Sequence, residues 1–181
     1  MARIAEVTAE TANDEQRRLG AEIFAIRGGR YSGPYAHLLH SPVLAEKAKE
    51  FGTYLRNDTS LPKRLSELVI AATARHWRCQ FEWSVHRHQA LAAGIEETIL
   101  EAVRLGHPPS FTHEDEAAVY AFVSELYAAG SVSKETQDRL QVFVGDVGLI
   151  EIVSIAGYYS FLALICNAFE PTITRNVPPL V

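Results

Sequence analysis

The stretch from Glu67 to Gly94, ELVIAATARHWRCQFEWSVHRHQALAAG, concentrates the side chains that can do chemistry. On a helix of about 100° per residue with Cys79 at zero, Glu82 lies near about −60°, Trp83 near about +40° and His86 near about −20°. Ala90 falls near about +20° and His88 near about 180°, on the opposite face. One stripe therefore holds a thiol, a carboxylate, an indole and an imidazole. Cys79 sits in the first turn of that helix, where the local dipole favours the reactive thiolate. Glu82 and His86 are four apart, so they can share a proton as an acid/base unit. Glu67 lies on the preceding helix among Leu65, Leu68 and Val69, and a carboxylate on an apolar face needs a partner. A turn between the two helices can fold it back onto the Cys79 stripe.

Each of these residues also has a plain structural explanation. A single Cys at a helix start is commonly inert, and an exposed Glu–His pair four apart contributes only tenths of a kcal/mol. Trp83 can be core, and Glu67 can pair with Arg64 or Arg75. His76, Glu82, His86 and His88 are dense enough to test for a metal, but no HExxH or CxxC spacing is present, so no metal is expected. His37 and His40 share a face and are read as structural.

The elements that must position these residues are helical nearly throughout. Thr11 with Asn13, Asp14 and Glu15 marks a capped start, and the first helix is expected to run to about Arg27 and stop at Gly28-Gly29. RGGRYSGPY reads as a loop. Ser41-Pro42 opens a helix carrying Leu44, Ala45, Ala48, Phe51 and Leu55. Leu61-Pro62 opens the helix of Glu67, which is expected to bend near Trp77-Arg78 into the Cys79 helix, ended by Gly94. A helix over 96–105 ends at Gly106, and Thr112–Asp115 resembles a capping box for a helix reaching Ala129. Ser133 caps a helix to about Phe143, and a last helix covers about 147–168. The tail over 171–181 is expected to be irregular or an exchanged arm. The fold class is all-α, a single-domain bundle of about seven to nine helices over 1–181.

Length and composition agree. The chain has 181 residues, 48% hydrophobic and 22% charged, with two cysteines and a net charge of −5. That length suffices for a core without a metal or disulfide. The acidic balance argues against nucleic-acid binding. The N-terminal MARIAEVTAETANDEQ has no apolar signal core, and two cysteines make no disulfide framework, so the expected location is cytoplasmic. Ile152 to Phe169 is uncharged, which touches the lower limit for a membrane span. Its serines, Gly157, Asn167 and Tyr158-Tyr159, together with flanking Glu151 and Glu170, argue instead for a buried or interfacial bundle helix, so no membrane is expected.

The offsets resemble the carboxymuconolactone decarboxylase superfamily, which includes the alkylhydroperoxidase D-like proteins. Its peroxidase branch has a Glu, a Cys twelve residues on, then xx-Cys and xxx-His. Here Glu67, Cys79, Glu82 and His86 stand at those offsets, with Glu82 in the slot of the second Cys. CQFEWSVHRHQALAAGI is similar to the decarboxylase-like branch, as are GPYAHLLHSPVLAEKAKEFGTYLR, LPKRLSELVIAATARHW and IVSIAGYYSFLALICNAF, so that the resemblance spans about 30–170. It implies an alkylhydroperoxidase D-like helical fold, a homo-oligomer (dimer, trimer or hexamer) and a small-molecule substrate, with Glu67, Cys79, Glu82 and His86 catalytic.

Two chemistries follow. The first is cofactor-free decarboxylation or proton transfer on a small organic acid or lactone. His86 would work with Glu82 or Glu67, Trp83 would line the pocket, and Arg75 or Arg78 would hold a substrate carboxylate. The second is a thiol peroxidase using Cys79: without CxxC its sulfenic acid lacks the usual nearby resolving thiol, which leaves Cys166 in the apolar last helix as a formal candidate, or a one-Cys cycle with an external thiol. A non-catalytic small-molecule binding role is the third possibility.

Overall fold

A computed structural model describes residues 3–25, 29 and 31–181. Among them are eight helices and no strand: α1 Asp14–Phe24, α2 Pro34–Leu38, α3 Pro42–Asn57, α4 Lys63–His76, α5 Gln80–Ala92, α6 Glu97–Leu105, α7 Glu114–Ala129 and α8 Lys134–Phe169. The bundle is all-α, as expected. The expected stop of the first helix at Arg27 and Gly28 lies outside the described residues. Its start is set by Asn13, whose side chain accepts from Gln16 N–H while the Gln16 side chain accepts from Asn13 N–H, each at 2.9 Å.

The centre of the bundle is α4, not the last helix. Every residue from Leu65 to Ala74 is buried, and α5, α7 and α8 all pack on it. α4 tolerates burial on all sides because its interior is built from small and aliphatic residues, with Thr73 bonding back to Val69 C=O at 2.7 Å. α8 holds an apolar window of mean hydropathy 1.9, long enough by length and composition to cross a membrane. Here it packs on α2, α3, α4, α5 and α7 through one face. Val147, Ile150, Val153 and Leu164 remain exposed on the other.

Two helices were expected where α8 runs. Gly145 reconciles the readings: at φ 63°, ψ −174° it leaves helical geometry and bends α8 between its two halves. A Cβ there would meet open space, so the backbone angle alone calls for glycine.

The expected capping box at Thr112–Asp115 does not form. His113 is the N-cap of α7, the Thr112 hydroxyl donates to Glu96 at 2.9 Å, and Asp115 is engaged by Arg64. A long-range ion pair has displaced a local cap. The tail packs on its own chain. Leu180 N–H donates to Gln80, Arg104 donates to Pro179 C=O, and Trp83 donates to Pro178 C=O.

Candidate active site

A tight reversal between α4 and α5 positions the site. Arg78 adopts φ 49°, and Cys79 N–H reaches back to Ala74 C=O at 2.8 Å. A left-handed non-glycine residue is held at a cost of roughly 1–2 kcal/mol. Asn167 secures it from α8, donating to Trp77 C=O at 2.6 Å, while the Trp77 indole donates to Ser160 at 2.8 Å. The reversal lays α5 along α4, so that Glu67 meets the stripe that begins at Cys79.

His86 Nδ1 lies 2.8 Å from Glu67 Oε2, and His86 Nε2 lies 3.5 Å from Glu82 Oε2. All three side chains are buried. Lys63 Nζ completes the chain of charges, 2.9 Å from Glu67 Oε1. Burial alone would raise the Glu67 carboxyl, but the bonds from His86 and Lys63 outweigh it and hold the group below its ordinary range. An ionised Glu67 fixes the tautomer: Nδ1–H donates to it, and Nε2 is turned toward Glu82. The Tyr159 ring stands edge-on to the imidazole, with centroids 4.9 Å apart, and limits its rotation.

Glu82 and His86 form part of the wall of a cavity of about 840 Å³, together with Phe81, Tyr159, Arg56 and Arg175. Gly33 lies against this wall, where a Cβ would come 2.4 Å from the Phe81 ring.

The structure brings together Glu67, Glu82 and His86, and sets Cys79 at the N-cap of α5, fully buried and outside the described cavity lining. Three expected substrate contacts stand elsewhere. Trp83 is core, with no exposed surface, and its N–H is used by Pro178 C=O at 2.9 Å. Arg75 points to Gly106 beyond α6, and Arg78 is exposed at the reversal, serving the backbone turn. None of the three is among the described residues lining the cavity. The partner of Glu67 is Lys63, not Arg64 or Arg75, because Arg64 is turned to Asp115 and Glu116 of α7. Arg56, Tyr159 and Arg175 escape the sequence reading. Arg56 resembles an ordinary surface charge at a helix end, Tyr159 is one of an apolar pair, and Arg175 sits in the tail. For Lys63 a signal existed, since it stands four residues before Glu67.

Four other histidines singled out in the sequence have evident surroundings. His37 and His40 bond to Ile4 C=O and Ala5 C=O, His76 stacks on Tyr127, and His88 is exposed. Among the described residues no group of three His, Cys, Asp or Glu side chains is arranged to hold a metal ion.

Cys166, the formal resolving candidate of the sequence reading, stands beside Cys79. Distant in sequence and buried in α8, it packs against Cys79 with Ala163, and its thiol lies 3.8 Å from Glu82 Oε1.

Residues 42–128 match the model of the Carboxymuconolactone decarboxylase family. The matched stretch contains Glu67, Cys79, Glu82 and His86, so the site lies in the part of the chain that is similar to that family. An alkylhydroperoxidase AhpD core protein from Ralstonia eutropha JMP134, described as an uncharacterized peroxidase-related protein, superposes with a TM-score of 0.79 at 16% identity, covering 97% of this chain and 92% of its own. A peroxidase-related protein from Silicibacter sp. TM1040 gives 0.77 at 12% identity, covering 98% and 96%. The debrominase Bmp8 gives 0.74 at 17% identity, covering 95% and 92%. At these identities the likeness establishes the shared fold. No curated protein matches the sequence significantly.

Proposed function

We propose that this chain, similar to the Carboxymuconolactone decarboxylase family over residues 42–128, is an enzyme of proton-transfer chemistry, acting on a small organic acid or lactone by decarboxylation or the related isomerisation. The observation that carries the reading is the imidazole of His86, held between Glu67 and Glu82 at the wall of the cavity. Loss of CO₂ from a carboxylated unsaturated lactone leaves an electron pair that the conjugated carbonyl delocalises. The remaining demands are an oriented substrate, a proton donor and exclusion of water. Arg56 or Arg175 is suited to take the substrate carboxylate. Glu67 sets the imidazole, and the Nε2 side with Glu82 delivers or removes the proton at carbon.

A thiol-dependent reading draws on the peroxidase-related and debrominase neighbours. Against it stands the placement of Cys79 outside the described lining, while His86 and Glu82 face the cavity. The contact with Cys79, burial and the adjoining Glu82 also push the Cys166 thiol up, away from the thiolate.

The test is a panel of small lactone carboxylates and β-keto acids in D₂O, read by CO₂ release and by deuterium incorporation next to the carbonyl. Wild-type protein should catalyse exchange or decarboxylation with at least one of them, and His86→Gln should not. Rapid hydroperoxide reduction that Cys79→Ser stops, without exchange on any acid, would overturn the reading.

A further inference from the structure

We propose that Cys79 and Cys166 form a cross-helix dithiol that hydrogen peroxide converts to a disulfide, with Glu82 as the proton acceptor. Residue 82, where the resemblance would place a second cysteine, carries a carboxylate. The fold instead supplies a thiol from α8. Cys79 caps α5, Cys166 lies in the last turns of α8, and the two pack together. Ala163, one turn earlier on α8, is a small residue in the same buried cluster and leaves room for both thiols. Cys166 Sγ donates toward Glu82 Oε1 at 3.8 Å, so a base already stands beside it. In the resting protein the contact with Cys79, burial and the charge of Glu82 push the Cys166 thiol strongly up, which keeps it protonated until it is called on.

The steps balance. The Cys79 sulfur attacks one peroxide oxygen, the O–O bond breaks, and the departing hydroxide leaves as water with the thiol proton. Cys79 is then a sulfenic acid. Cys166 passes its proton to Glu82 and attacks the Cys79 sulfur. The S–O bond breaks, and hydroxide takes the proton back from Glu82 as a second water. Two thiols are oxidised and one peroxide is reduced to two waters. A small thiol in excess reverses the oxidation by exchange. The site selects the oxidant by size. Cys79 is 0% and Cys166 4% exposed, which excludes bulky disulfides and leaves a molecule as small as hydrogen peroxide as the oxidant.

This inference stands apart from proton transfer, because its readout is mass rather than turnover. Reduced full-length protein is treated with one equivalent of hydrogen peroxide and digested without reduction. The expected result is loss of two hydrogen masses, a linked Cys79–Cys166 peptide and a fall in titratable thiols from both to none in denaturant. Cys166→Ser should instead accumulate a dimedone-reactive sulfenic acid at Cys79, and Glu82→Gln should slow disulfide closure by about a hundredfold or more, in the range of a lost general base. The mapping on wild-type protein needs no variant to fold. A stable sulfenic acid in wild type, links between chains only, or two unreacted thiols in the folded protein would each overturn the proposal.

Discussion

His86 Nδ1 and Glu67 Oε2 meet at 2.8 Å across two helices, 19 residues apart in the chain and both buried. This contact turns a histidine into an oriented acid/base. It fixes which nitrogen carries the proton and which side of the ring faces Glu82.

His86→Gln should lower turnover by about two to four orders of magnitude, the range for loss of a general acid or base. Circular dichroism should remain that of the folded bundle. Cys79→Ser should retain substantial proton-transfer activity, since that thiol does not face the cavity. Steady-state kinetics on a substrate from the panel checks both, and an inactive Cys79→Ser with an active His86→Gln would contradict the assignment.

Glu67 acts through His86 and is a positioning residue. Glu67→Ala removes the buried acceptor of His86 Nδ1–H and leaves that donor unsatisfied, an effect of about 1–3 kcal/mol, while the half-exposed Lys63 returns to water. The urea midpoint should fall with little change of slope. Glu67→Gln keeps an acceptor for Nδ1–H but loses the charge. It should lower kcat more than it changes KM and displace the pH profile, a result that a purely structural role would not produce.

Acid should destabilise the protein in a definable window. Burial raises the carboxyls of Glu67, Asp115 and Glu151, yet their partners outweigh it and hold each below the ordinary carboxylate range. For Glu151 the partners are Ser60 N–H, the Ser60 hydroxyl at 2.6 Å and the Tyr54 hydroxyl at 2.8 Å. A carboxyl depressed in the folded state binds protons more readily when unfolded. Its contribution is complete above the unfolded value of about 4 and is lost as pH falls through the folded value. Denaturant midpoints should therefore be flat near neutrality and drop below about pH 4. Glu151→Gln should be weaker at pH 7 and show a shallower acid slope. An unchanged slope would remove Glu151 from the account.

The exposed face of α8 and its groove against α3 should be covered by a second copy of the chain. Leu44, Phe51, Tyr158 and Phe161 line that groove beside Gly157, and Ile150 is 69% exposed. Light scattering at micromolar concentration should report more than one chain mass, and Phe51→Glu should reduce it toward one. A monomeric wild type would refute this.

Helix number, the bend before Cys79 and the stripe of Cys79, Glu82 and His86 were readable from the chain because they depend on local rules: a 3.6-residue period, glycine stops and proline starts. The same rules separated His86 from His88. The break in α8 was visible in the glycine and polar residues around Gly145.

What local rules could not reach was every partner chosen across the bundle. Lys63 rather than Arg64 serves Glu67 because α7 draws Arg64 to Asp115 and Glu116. Trp83 shares the stripe with His86, yet the returning tail covers it, and Arg56 and Arg175 arrive at the cavity from α3 and the tail. Cys166 meets Cys79 only because α8 crosses the start of α5. Periodicity determines which face of a helix a residue occupies. What that face meets depends on packing among helices far apart in sequence, and here that packing decided the cavity, the charge pairs and the dithiol.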